Sequence, residues 1–307
     1  MENGLIDKLK KYPSGASALG LGIVGLGSAW DGIGFKYGEK IFVLTIGLSL
    51  LLVTTYILKI IFCYQSFLED IKDTMKGAVV TSLDMAILIM STYVYRYNPE
   101  LGRTIWFIAS LVHLIIWFTF TYYRIKLGKL LEFHFGWFVT YGGIITVAVT
   151  ATYMGFDPWA KSFWWIGLIS VVTLLPVIIV RGIRLGFENK YRITIPVVAA
   201  PVNLLLAGYL SGIFNVNQTA ACLLAIAAFT GTFTAWLGVL RAKALPFAPT
   251  FAAFTFPLTI SVTAATRFGK LFPSFSFLAW IEIAVTTISV IYTLYRFIEF
   301  YFLKKEQ

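Results

Sequence analysis

The chain has 307 residues and a formal net charge of +10, with 58% of residues hydrophobic against 13% charged and a mean hydropathy of +0.80. A water-soluble core of this size cannot hide 27 Phe, 16 Tyr and 9 Trp, so most of the chain must face lipid or other lipid-buried helices. A soluble enzyme, a nucleic-acid-binding protein and a disordered tail are excluded.

In chain order, ten apolar stretches lie near 13–30, 41–62, 77–95, 104–123, 137–156, 162–180, 194–213, 219–240, 247–266 and 276–303. Most have the roughly 20 residues that cross about 30 Å of hydrocarbon as a helix. Residues 46–52 and 220–229 are almost continuously apolar, which excludes the alternating pattern of a membrane β-barrel. The first stretch follows Lys8, Lys10 and Lys11 as a signal peptide would, but its Gly-rich run ends at Trp30 and Asp31 without a cleavage site. It is read as a span. With alternating helices, eighteen of the 25 Lys and Arg fall on the side of the N-terminus and seven on the other. The positive-inside rule then predicts a single ten-span domain over 1–307 in a plasma or bacterial inner membrane, with both termini, including Lys8 and Lys304, cytoplasmic.

Odd and even spans differ in kind. Gly15, Gly20, Gly22, Gly25 and Gly27 crowd the first, Gly142 and Gly143 the fifth, Pro196 and Pro201 the seventh, Pro249 and Pro257 the ninth. Even spans are richer in long aliphatic and aromatic residues, although Pro176 interrupts the sixth. Odd spans begin near 13, 77, 137, 194 and 248, so the unit is a helical hairpin repeated five times, which predicts quasi-five-fold symmetry. Helix breakers inside a bilayer need buried or water-lined backbone. An inner ring of odd helices around a central conduit, screened by even helices, satisfies all of them together. Cys63 with Cys222, and His113 with His134, are too few and too scattered for a metal or redox centre, so no cofactor or metal is expected.

The runs Pro13-Ser-Gly-Ala-Ser-Ala-Leu-Gly-Leu-Gly-Ile-Val-Gly-Leu-Gly27, Tyr95-Arg-Tyr-Asn-Pro99, Arg192-Ile-Thr-Ile-Pro-Val-Val-Ala-Ala-Pro201 with Gly208-Tyr-Leu210, and Phe254-Thr-Phe-Pro-Leu258 resemble the tellurite-resistance/dicarboxylate transporter family, which includes the slow anion channels of plant guard cells. The resemblance implies five hairpins, one pore per subunit, a homotrimer, and a ninth-helix phenylalanine, here Phe256, occluding the pore. Asp84 stands where relatives carry a third-helix proline, and Thr140 or Tyr141 where a fifth-helix proline is usual.

The residues support Phe256 in part independently. Pro257 biases its predecessor away from αR geometry, and Phe254 and Phe256 lie about 200° apart on an ideal helix, so both cannot face one axis. A bulky ring in a narrow apolar throat stops ions by steric block and dewetting, with anions received on either side by freed amide N–H groups and helix N-termini. Gly15, Gly20, Asp84, Thr140, Gly142, Pro201, Pro257 and Thr259 are the candidate lining residues. Asp84 is expected on the wall of the conduit, neutral or paired, with Arg192 as a possible partner. Glu282 is expected at a wetted helix end, His113 in a packing role, and Lys59 snorkelling. The leading function is a gated channel for small monovalent anions such as chloride or nitrate. The alternative is a C4-dicarboxylate (malate) or tellurite transporter, proton-coupled or not. An enzyme lacks any recognisable catalytic set.

Overall fold

The computed structural model describes residues 2–152, 154–242 and 247–303. Among these the chain is helical, with no strand. The principal elements are α1 (Gly15–Gly32), α2 (Gly38–Phe62), α3 (Ser82–Tyr97), α4 (Pro99–Lys126), α5 (Trp137–Thr150), α6 (Asp157–Leu185), α7 (Ile195–Tyr209), α8 (Gln218–Ala242), α9 (Thr255–Leu271) and α10 (Phe277–Ile298). Among the described residues six helices are long and apolar enough to cross a membrane: α2, α4, α6, α8, α10 with its flanks (Pro273–Tyr301), and α3 with its lead-in (Thr74–Tyr97). The other four are glycine-rich, shorter or more polar. Lys243, Lys304 and Lys305, which entered the charge count, lie outside the described residues.

Even helices are inside-out. On α2 the buried residues are Gly38, Phe42, Thr45, Ser49, Val53, Tyr56 and Lys59, one stripe at helical spacing, while Leu44, Leu48, Leu51, Leu58 and Ile61 are exposed. The most apolar stretch of α2 is only 28% buried, against 72% for the α3 segment, as expected if lipid rather than protein covers the aliphatic face. These even helices run unbroken, and α6 continues through Pro176.

Among the odd elements α1 and α3 run unbroken over Gly15–Gly32 and Ser82–Tyr97, so the glycines of α1 do not break it, whereas the other three are irregular. A 3₁₀ turn, Gly143–Ile145, splits α5 between Trp137–Tyr141 and Thr146–Thr150. Residues Ile195–Val198 open α7 as 3₁₀ helix, and a 3₁₀ segment, Pro249–Phe254, leads into α9. Pro257 therefore sits in the first turn of α9, where its missing amide costs little; the irregularity lies just upstream. Each odd element packs on the even helix that follows. Each also packs on the next odd element, and α9 returns to α1. Glycine makes that last contact close: a Cβ on Gly22 would stand 2.0 Å from Thr255 Oγ1, and one on Gly25 2.5 Å from Thr259 Oγ1.

Candidate conduit and its constriction

Three cavities follow one another through the odd elements. The first, about 540 Å³, is lined at its inner end by Gly25, Thr259, Ile260 and Phe256, further out by Arg267, and at its mouth by Asp31, Arg96 and Lys270. The second holds only about 20 Å³ between Leu21, Met85, Phe138, Leu204, Phe256 and Pro257. The third, about 590 Å³, opens at the other end among Lys10, Lys59, Asp70, Lys76, His134 and Ala252. Phe256 is the residue shared by the first and second; Ala18, Val79, Ala252 and Ala253 are shared by the second and third.

One face of α9 builds the first wall. From Phe256, steps of three or four residues lead to Thr259 and Ile260, then Thr263, Arg267 and Lys270, all on the cavity. Arg267 is eleven residues on, which returns to within about 20° of Phe256 on an ideal helix. The Phe256 ring is buried, and the Thr259 hydroxyl donates to the Phe256 carbonyl at 3.0 Å. Phe254 turns away into a separate cluster with Phe251, beside Ile193, Val239 and Phe247.

Direction matters as much as position. Gly15, Gly136, Thr194 and Ala253, at or just before the starts of odd elements, face the third cavity, whereas Gly32, Arg96, Thr150, Leu210 and Lys270, at or near their ends, face the first. The odd elements are parallel, so helix N-termini gather at one mouth only. The expectation that N-termini receive anions on both sides is corrected: the first cavity receives C-termini, with partial negative charge.

Of the sequence candidates, Thr259 lines the first cavity, Pro257 the second and Gly15 the third. Gly20 faces Ser49 and Val53 of α2, and Gly142 packs on Pro201 and Val171. Thr140 is fully buried, its hydroxyl donating to the Ala78 carbonyl at 2.8 Å. Asp84 lies off all three cavities. Its Oδ2 meets His113 Nδ1 of α4 at 2.5 Å, both side chains being fully buried, so its partner is His113 rather than Arg192. The other imidazole nitrogen, Nε2, donates to the Thr140 carbonyl at 3.0 Å. With Nε2 donating, a single proton carried by either Nδ1 or Oδ2 closes the bond between the two side chains, just behind the chamber wall formed by Met85 and Gly143. Glu282 is 3% exposed and Oε2 has no hydrogen-bond partner, so this carboxyl packs against α9 rather than facing water. Lys59 does not snorkel either: it is buried, with Nζ 2.6 Å from Asp70 Oδ2 and 2.8 Å from the Tyr12 carbonyl.

His134, in the loop before α5, stacks on Tyr191 with centroids 4.7 Å apart. Its Nδ1 accepts from the Gly136 amide at 3.1 Å, leaving Nε2 to donate to Thr74 O at 3.3 Å. Burial pushes its pKa down to about 4, so the ring is neutral at physiological pH. Sequence reasoning missed Arg267, Arg96 and Asp31 as wall residues, because each was assigned to a loop.

A helical membrane protein whose inner elements enclose two wide cavities with a narrow chamber between them has the build of a channel or transporter. The sequence model described as voltage-dependent anion channel matches residues 12–300, and the chain belongs to this family, the one its motifs resemble. No curated protein matches the chain.

Proposed function

We propose that the chain is a gated anion channel that passes small monovalent anions, such as chloride or nitrate, along the three cavities and is closed at rest by Phe256. The observation that carries this reading is the position of one aromatic ring on the walls of both a cavity of about 540 Å³ and a chamber of about 20 Å³. A ring at such a step blocks a hydrated ion sterically and keeps the throat dry. In this reading the chain is a single domain of ten spans. Odd elements form a quasi-five-fold inner ring, even helices face lipid, both termini are cytoplasmic, and three copies form a homotrimer with one conduit each. The cyclic packing of α1, α3, α5, α7 and α9 supports the ring. Phe256→Ala in reconstituted protein tests the gate, with Phe254→Ala as control because that ring sits in another cluster.

A second reading, a C4-dicarboxylate or tellurite carrier coupled to protons, is favoured by the buried, hydrogen-bonded pair of titratable side chains Asp84 and His113. Anion flux that follows an imposed pH gradient and is lost in Asp84→Asn would support it.

A further inference from the structure

We propose that Arg267 sets the charge selectivity of the first vestibule by cancelling the negative ends of α5 and α7; the proposal rests on the anion-conduit reading. The last four carbonyls of a helix have no intrahelical donor, and the C-terminus carries roughly half a negative charge. Odd elements direct such ends into this vestibule, an arrangement that repels anions unless it is compensated. From α9, Arg267 Nη1 donates to the Ala207 carbonyl in the last turn of α7 at 2.5 Å, and Nη2 donates to the Val149 carbonyl in the last turn of α5 at 2.9 Å. A planar guanidinium reaches two helices at once, which a lysine ammonium does less well.

The other charges on this wall do not replace it. Arg96 is paired with Asp31, so the two contribute no net charge, and Lys270 is exposed at the rim. Arg267 lies on the Phe256 face of α9, about 16 Å along the axis by helical rise, between the rim and the gate. Without it, two carbonyl ends totalling roughly one negative charge stand uncompensated beside the ion path. Hydroxyls of Thr259 and Thr263 remain on the same stripe but carry no charge.

The test reads local potential without needing conduction. In a Cys222→Ser background, Lys270→Cys provides a thiol in the vestibule, the native Cys63 being buried. Its rates with an anionic (sulfonatoethyl) and a cationic (trimethylammonioethyl) methanethiosulfonate are compared as a ratio. Arg267→Gln should lower the anionic-to-cationic ratio by about fivefold, the effect of one charge a helical turn away after screening. Arg267→Lys should keep most of the ratio. If Arg267→Gln does not fold, Arg267→His read at pH 5.5 and 8.5 makes the same comparison within one protein, and the ratio should fall on deprotonation. A ratio indifferent to charge at position 267 overturns the proposal. Absence of current from Phe256→Ala would remove the channel reading and leave this ratio untouched, whereas current from Phe256→Ala with an unchanged ratio would remove the role of Arg267 and leave the channel.

Discussion

Cutting the link between Asp84 and His113 should destabilise the fold unequally from its two sides. Removing the imidazole with His113→Leu leaves the Asp84 carboxyl buried with no partner, since Oδ1 already has none, and also takes the donor from the Thr140 carbonyl. Stranding one half of a buried pair costs about 3–5 kcal/mol. Removing the carboxylate with Asp84→Leu leaves a neutral ring that keeps its bond to Thr140 and loses one acceptor contact, for about 1–3 kcal/mol. The double variant trades both polar groups for apolar volume and should cost no more than the milder single, so the coupling is at least the His113→Leu cost, about 3–5 kcal/mol. Equilibrium unfolding of the four proteins in mixed detergent micelles measures it. Single effects that add to within about 0.5 kcal/mol would refute the Asp84 and His113 pair as a structural tie among α3, α4 and α5.

Gly22→Val places a branched side chain where even a Cβ meets Thr255, so α1 and α9 must part; folded yield should drop sharply while Gly47→Ala, in open space, leaves it unchanged. For His134, the unfolded chain binds a proton near pH 6.5 and the folded chain only near 4, so stability is unaffected above about pH 6.5 and falls as pH is lowered towards 4. The loss totals about 3 kcal/mol, and His134→Gln should flatten that slope in melts taken between pH 4 and 7. A cysteine introduced in 215–218, in the Cys222→Ser background, should react with a membrane-impermeant reagent from outside intact cells; reaction only after permeabilisation would reverse the proposed orientation.

Much of the architecture was legible because lipid imposes a simple rule on sequence. Long aliphatic runs marked the even helices, and Gly142 with Gly143 and the prolines marked the irregular α5, α7 and α9, whereas the glycines of α1 mark close packing in an unbroken helix. The separation of Phe254 from Phe256 followed from helical period alone. The same period could have sorted Gly20, facing α2, from Gly25, facing α9, and could have carried the Phe256 stripe on through Thr263 to Arg267. It was missed because spans were cut at the first charge, although α9 continues to Leu271 with Arg267 and Lys270 inside it. The Asp84 partner was not legible: His113 lies 29 residues away on another helix, and pairing depends on the rotation of α4 against α3. The buried Lys59 and Asp70 pair was hidden in the same way, since a lysine near a span end more often reaches for the interface.

The most direct test of the account is the current through purified Phe256→Ala protein in planar bilayers under a chloride gradient, measured beside the parent and Phe254→Ala. The account predicts that only Phe256→Ala conducts well above the parent, with a reversal potential near that of chloride. Current from Phe254→Ala alone, equal currents from both variants, or silence from well-folded Phe256→Ala would contradict it.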